Sequence, residues 1–367
     1  MPCYSTVCGS PPGYPIECQS AWEHLSTDPC IYLEPCLVSE LHKFLFDGLP
    51  VRGMLVRLTD AWTDILARRA GNSATGAYAA PVTELLGEMA AAGVLMQSNI
   101  KFNGALVLQV FGDGPVKLAV AEVQSDLSLR ATATVTGEVP ADARLSQMVN
   151  VGGGGRCAIT LDPKNRHPGQ QPYQGVVPLH GDHHEKLDRL SDVLQHYMLQ
   201  SEQLDTVLVL GANDKVAAGL LIQRMPIKGE GNLASGLSHR ENEDQIGHNE
   251  DYNRIAHLAA SLTREELLSL DVDTILRRLF WEEKLVRFEP QQGETGPRFA
   301  CTCSRERVSA MLRNLGAEEA ESILAERGEI EVGCEFCGQQ YRFDAVDAAQ
   351  IFVEPAIIQP PAPTGMQ

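Results

Sequence analysis

Four cysteines near the C-terminus are the residues best placed to do chemistry: Cys301 and Cys303 in "FACTCSRERV", Cys334 and Cys337 in "EVGCEFCGQQY". A C-x-C pair followed about 30 residues later by a C-x-x-C pair supplies four soft ligands, the number a tetrahedral zinc site requires. The segments between them, "SRERVSAMLRNLG" and "AEEAESILAERG", are expected to form two short helices that fold the second pair back onto the first. Gly333 and Gly338 flank the second pair, where tight turns let backbone amides approach sulfur. Zinc has no redox chemistry of its own, but four thiolates on one divalent ion leave the cluster anionic and its sulfurs nucleophilic towards peroxide or hypochlorite. A unit of about 55 residues also has a small core, so metal affinity of about 10–16 kcal/mol can supply most of its folding free energy. Three readings of the thiols stand: structural zinc, a redox-sensitive zinc switch, and a thiol-disulfide oxidoreductase. "CEFC" lacks the long following helix of a βαβ unit, which weighs against the last.

Other candidate chemistry is weaker. "VGGGGRC", 151 to 157, lacks the Lys-Ser/Thr of a phosphate-binding loop and reads as a turn before a strand at Cys157–Leu161. In "HGDHHE" the side chains of His180, His183 and His184 suit a metal, yet the bland reading is a solvated loop, with Asp182 as N-cap of a helix over Glu185–Gln200. Ser201, Glu202 and Gln203 have no identifiable triad partners. No catalytic residue and no nucleotide or other organic cofactor is assigned, and the chain is read as not an enzyme.

The elements that must position the thiols follow from periodicity. Val51–Leu58 reads as a strand, Asp60–Ala70 as a helix capped by Asp60, and Val82–Met96 as a second helix. "GALVLQVFG", "VKLAVAEV" and "SLRATATV" form an antiparallel meander, and "DTVLVLGANDKVAAGLLIQRMP" a strand, a turn and a strand. Amphipathic helices return after residue 250, with Thr263-x-x-Glu266 and Asp271 as caps, and carry a Leu/Phe stripe over 267–280 that needs a partner surface. The fold class is α+β: a mostly antiparallel N-terminal domain with helices over 39–226, a metastable helical linker over 227–298, and a small four-cysteine zinc domain over 299–355. Residues 1–38, with Cys3, Cys8, Cys18, Cys30 and Cys36, and residues 356–367 are expected to be a poorly ordered extension and a flexible tail.

Of the net charge of -18, residues 301–367 contribute 5 bases against 11 acids, and residues 1–40 five acids without a single Lys or Arg. This distribution argues against nucleic acid as a partner, which needs a basic face. No run approaches about 18 apolar residues and no signal-like segment opens the chain, so no membrane partner is expected and the cytoplasm is the expected location.

Together with "ILAERGEIEVGCEFCGQQYRFD", "TREELLSLDVDTILRRLFWEE", "LQHYMLQSEQLDT" and "FLFDGLPVRGMLVRLTDAW", the motif "FACTCSRERV" resembles the heat-shock protein 33 family of redox-regulated holdase chaperones over about residues 41–353. The resemblance implies one Zn2+ held by Cys301, Cys303, Cys334 and Cys337 in the reduced form. It also implies oxidised pairs Cys301–Cys303 and Cys334–Cys337, with zinc release that unfolds the C-terminal domain and loosens the linker. Disulfides this close in sequence close very small rings and are readily reduced, as a reversible switch needs. Implied partners are unfolded client proteins, a second copy on activation, and ATP-dependent chaperones that take over clients. The N-terminal 38 residues and a polar insert around Gly229–Asn249 depart from the family pattern.

Overall fold

The computed structural model describes residues 38–72, 75–165, 171–225 and 249–353. The expectations for the N-terminal extension and its five cysteines, the polar insert and the C-terminal tail fall outside the described residues.

Two mixed-order sheets form the body. In the first, β1 (Glu40–Phe46), β2 (Val51–Leu58), β8 (Thr206–Ala212), β9 (Ala217–Arg224), β10 (Leu285–Arg287) and β11 (Gln291–Gln292) combine in the order β10-β1-β2-β9-β8, with β11 also on β1. In the second, β3 (Gly104–Phe111), β4 (Val116–Gln124), β5 (Ser128–Val135), β6 (Arg156–Pro163), β7 (Tyr173–Pro178) and β12 (Arg298–Phe299) run in the order β12-β5-β4-β3-β6-β7. All pairings are antiparallel except β12 on β5. The expected meander is therefore present.

Helix Ala80–Asn99 lies between the sheets, touching β2, β8 and β9 of one and β3, β4 and β5 of the other. Its composition explains the position: apart from one edge with Glu84 and Glu88 the helix is apolar around its circumference, and Val82, Leu86, Met89, Val94 and Leu95 are all fully buried. It runs past the expected Val82–Met96 at both ends.

Period-two alternation gives the first sheet a second apolar face. On β2, Met54, Val56 and Leu58 point to the central helix, while Val51 and Leu55 point the other way. Phe44, Phe46, Ala218, Leu220 and Ile222 join that outer face. The Phe44 ring lies across Gly53 so closely that a Cβ there would sit 2.1 Å from it, so only glycine fits under the ring.

Helices Glu250–Ala260, Arg264–Ser269 and Val272–Phe280 cover this face with Tyr252, Ile255, Leu267, Ile275, Leu276, Leu279 and Phe280. Phe280 packs edge-on to Phe46 at 5.0 Å between centroids. The expected caps are in place: Thr263 and Glu266 form a reciprocal capping box, and Asp271 accepts from the Thr274 amide. From β2, the Arg57 guanidinium donates to the carbonyls of Leu267 and Leu270 at 2.9 and 2.8 Å, satisfying acceptors that the short helix leaves free at its end.

Two expectations are corrected. The helix expected over Glu185–Gln200 spans Leu190–Gln200, because a bridge between His180 and Lys186 closes the preceding loop; Asp182 caps nothing, and Arg189 stands at the N-cap. Helix Asp60–Ala70 has the expected bounds, but its N-cap is Thr59, and the Asp60 carboxylate accepts from the Ser39 amide and hydroxyl instead.

Candidate metal centre

The path to the thiols starts on the three helices that cover the outer face of the first sheet. After Phe280 the chain pairs with β1 through β10 and β11, crosses to the second sheet, and adds β12 alongside β5. The Ala300 amide still donates to the Leu129 carbonyl at 3.1 Å, so Cys301 follows directly from a residue hydrogen-bonded to the body. Ser304 then caps helix Arg305–Leu315, which leads through Gly316 into helix Ala317–Arg327, the two short helices expected between the cysteine pairs.

The second pair sits in the hairpin of β13 (Ile330–Gly333) and β14 (Gln340–Phe343). The Cys334 amide donates to the Gln339 carbonyl at 2.9 Å, and the Gly338 amide returns to the Cys334 carbonyl at 2.8 Å. Gly338 closes this turn at φ +72, a conformation that favours glycine, whereas Gly333 remains in β13 outside the left-handed region. Of the two flanking glycines, only Gly338 has the expected conformational role.

Beneath the hairpin, Leu312, Ala320, Ile330, Phe343, Ala348 and Ile351 make a core of six buried side chains. Arg305 braces it, stacking 4.2 Å from the Phe343 ring centroid and pairing with Asp347 at 2.7 Å. The last helix, Ala345–Val353, completes the unit.

These elements bring all four sulfurs within 4.8 Å of one another. Cys301 Sγ lies 3.6 Å from Cys334 Sγ, and Cys303 Sγ 3.3 Å from Cys337 Sγ. Sulfurs about 2.3 Å from a central zinc at tetrahedral corners stand about 3.8 Å apart, so the set fits that ion. All four thiols are partly exposed, and none is in a disulfide.

Hydrogen bonds aimed at sulfur complete the fit. The Cys303 amide points to Cys301, those of Phe336 and Cys337 to Cys334, and that of Gln339 to Cys337. The Tyr341 hydroxyl donates to Cys303 Sγ at 3.2 Å, and Arg130 Nη1 approaches Cys301 Sγ at 3.7 Å. Burial pushes the Cys301 thiol up, but the Cys303 amide and thiol and the Arg130 guanidinium outweigh it and bring it down to about 7. Burial holds the Cys334 and Cys337 thiols above their ordinary value, so the surroundings favour charge chiefly at Cys301.

The other sequence candidates do not assemble into a metal site. Among the described residues, the four cysteines are the group of His, Cys, Asp and Glu side chains close enough to share an ion. The His180 and His184 rings meet tilted, 4.9 Å between centroids, and the Glu185 carboxylate accepts from the His183 amide, as in an ordinary loop. "VGGGGRC" is the expected turn into a strand, and Cys157 in that strand is fully buried, its thiol pushed up to about 12 by burial and so inert. Glu202 accepts from the Tyr197 hydroxyl at 2.6 Å, a structural contact.

A family model described as Hsp33 protein matches residues 39–344. The chain belongs to the Hsp33 family. It is 44% identical over 313 residues to the 33 kDa chaperonin of Chromobacterium violaceum, covering 85% of this chain and 93% of that one. With the 33 kDa chaperonin of Neisseria meningitidis serogroup A it shares 40% over 317 residues, 86% and 92% of the two chains. The crystal structure of the 33 kDa chaperonin of Thermotoga maritima matches in fold with a TM-score of 0.62 at 20% identity, covering 85% of this chain and 97% of that one. The resemblance drawn from the cysteine, linker and N-terminal motifs thus holds, and the relatives' shared name is that of a chaperone rather than an enzyme. Among the described residues no helix is long and apolar enough to cross a membrane.

Two features of the centre are absent from the sequence reading. Arg130 on β5 and Tyr341 on β14 both reach sulfur, and Arg130 lies 171 residues from its cysteine. Tyr341 carried a weak signal, being four residues after Cys337 in a strand-like run.

Proposed function

We propose that this protein is a redox-regulated, ATP-independent chaperone in which four thiolates on one zinc ion keep an apolar client-binding surface covered. The observation that carries the reading is a continuous one: the thiol cluster is joined through β12, β11 and β10 to the helices that cover the outer face of the first sheet. Cys301, Cys303, Cys334 and Cys337 hold the metal in this reading. Bound zinc would keep the thiols deprotonated and stabilise a unit whose six buried side chains make a small core.

Oxidation then acts on the sulfurs. Each pair of thiolates passes two electrons to one peroxide, whose O–O bond breaks as the S–S bond forms, and the two hydroxides released take up two protons from solvent to leave as water. Two disulfides, Cys301–Cys303 and Cys334–Cys337, therefore consume two peroxides and leave no thiolate for the metal. The C-terminal unit loses its main support, the strands after Phe280 lose their anchor, and the linker helices come away from Phe44, Phe46, Leu55, Leu220 and Ile222. The uncovered face and linker bind unfolding proteins. In this reading the activated chain works in the cytoplasm as a homodimer and yields its clients to ATP-dependent chaperones when thiols are reduced again.

The test is peroxide treatment of the full chain at raised temperature, following zinc with a chromophoric chelator and client aggregation by light scattering, before and after reduction. Zinc release together with reversible suppression of aggregation is expected. Zinc retained under peroxide would point to a purely structural ribbon, and catalytic turnover in insulin reduction to an oxidoreductase.

A further inference from the structure

We propose that Arg130 is the residue by which the N-terminal sheet grips the thiol centre, positioning the Cys334–Cys337 turn and Cys301 and so setting how readily the metal leaves. The proposal rests on the four-thiolate reading above. Arg130 lies in the middle of β5, opposite Glu122 on β4. Its Nε and Nη2 both donate to Glu122 Oε2, at 3.1 and 2.7 Å, and both side chains are only 15% exposed. This anchor fixes the plane of the guanidinium. One face then lies 4.2 Å from the Phe336 ring centroid, and Nη1 is left directed at Cys301 Sγ.

Phe336 sits between Cys334 and Cys337, so one cation meets Cys301 of the first pair and the turn that carries the second. Two residues further along the same face of β5, Thr132 donates to the Glu335 carbonyl at 3.1 Å, and Tyr78 meets Thr132 and Ala133 from behind. The C-x-x-C turn is thus docked on β5 through its consecutive residues Glu335 and Phe336, which meet Thr132 and Arg130. Permanent positive charge beside an anionic thiolate cluster opposes loss of the metal-bound form, and a planar guanidinium stacks on a ring while keeping its in-plane donors, which lysine's ammonium does not. Unlike the hydrophobic face of the first sheet, this contact lies directly beside the sulfurs.

The test uses the reduced, zinc-loaded full chain and measures the rate at which zinc passes to a chromophoric chelator without oxidant. R130A is expected to release zinc about tenfold faster, equivalent to about 1.4 kcal/mol. R130K, which keeps the charge and loses the plane, is expected to fall between R130A and wild type. F336L removes only the stacking surface and should speed release about threefold, with little further effect when combined with R130A. Cobalt-substituted protein adds a spectroscopic readout: the thiolate-to-cobalt absorption shifts in R130A, where Cys301 loses its charged donor, and stays put in F336L. R130A and F336L both releasing zinc within twofold of wild type, with an unshifted cobalt band, would overturn the role of Arg130 alone. A wild-type chain that takes up no zinc or cobalt would overturn the metal reading beneath it.

Discussion

Phe280→Ala should turn the reduced, zinc-loaded protein into a chaperone without any oxidant. The ring is 2% exposed, meets Phe46 edge-on at 5.0 Å and Phe44 at 6.2 Å, and closes the end of the helix stripe that covers the first sheet. Truncating a buried phenylalanine costs about 3–5 kcal/mol through lost burial and the cavity left behind. Little of the cost falls on the thiol centre, because the aromatic cluster belongs to a different core from that beneath the hairpin. It falls on the docking of these helices, and every 1.4 kcal/mol shifts that equilibrium about tenfold, so amides of residues 250–280 should exchange with solvent about 100-fold to 4000-fold faster. Hydrogen exchange read by mass spectrometry, with parallel client aggregation assays in reductant, measures both consequences. Zinc content should stay at the wild-type level and aggregation should be suppressed. Faster linker exchange without any chaperone activity would refute the assignment of the covered face as the client surface.

Three further outcomes follow. Gly338→Ala forces a Cβ into the left-handed region at φ +72, at about 1–2 kcal/mol, and should weaken zinc affinity about 5-fold to 30-fold in a competitive chelator titration. Glu88 lines a cavity of about 580 Å³ between the central helix, β8 and the linker; burial, and then Glu84, push its carboxyl up to about 7. A carboxylate raised in the folded state costs stability as it ionises, so denaturant stability should fall by about 1–3 kcal/mol from pH 4.5 to pH 7, and Glu88→Gln should remove that part of the dependence. Arg57→Met removes the donors to Leu267 and Leu270 and should raise exchange in helix Arg264–Ser269 while leaving zinc release unchanged, as fragment-resolved exchange and chelator assays would report.

The cysteine cluster and the caps of helices Arg264–Ser269 and Val272–Phe280 were legible because each is local. Two cysteine pairs, the Thr263–Glu266 box and Asp271 are patterns within a few residues, and all take their expected place. Apolar runs bounded by turn residues, such as Val51–Leu58, were equally plain as strands. What escaped depends on distance or brevity. β10, β11 and β12 are two or three residues each, too short for any period, yet they carry the chain from linker to cysteines. The grip of Arg130 on Cys301 and Phe336 joins segments far apart in sequence, and an arginine in a strand carries no local sign of its partner. The late start of helix Leu190–Gln200 escaped because the bridge from His180 to Lys186 holds the preceding residues out of the helix, against their periodicity.

The most direct test changes Cys334 and Cys337 together to serine in the full chain and measures metal content beside client protection in reductant. Zinc absent and aggregation suppressed without oxidant is the outcome that sulfur coordination, as the restraint on a covered apolar face, predicts. A double variant that keeps its zinc, or that loses it and remains as inactive as the reduced wild type, would contradict the account.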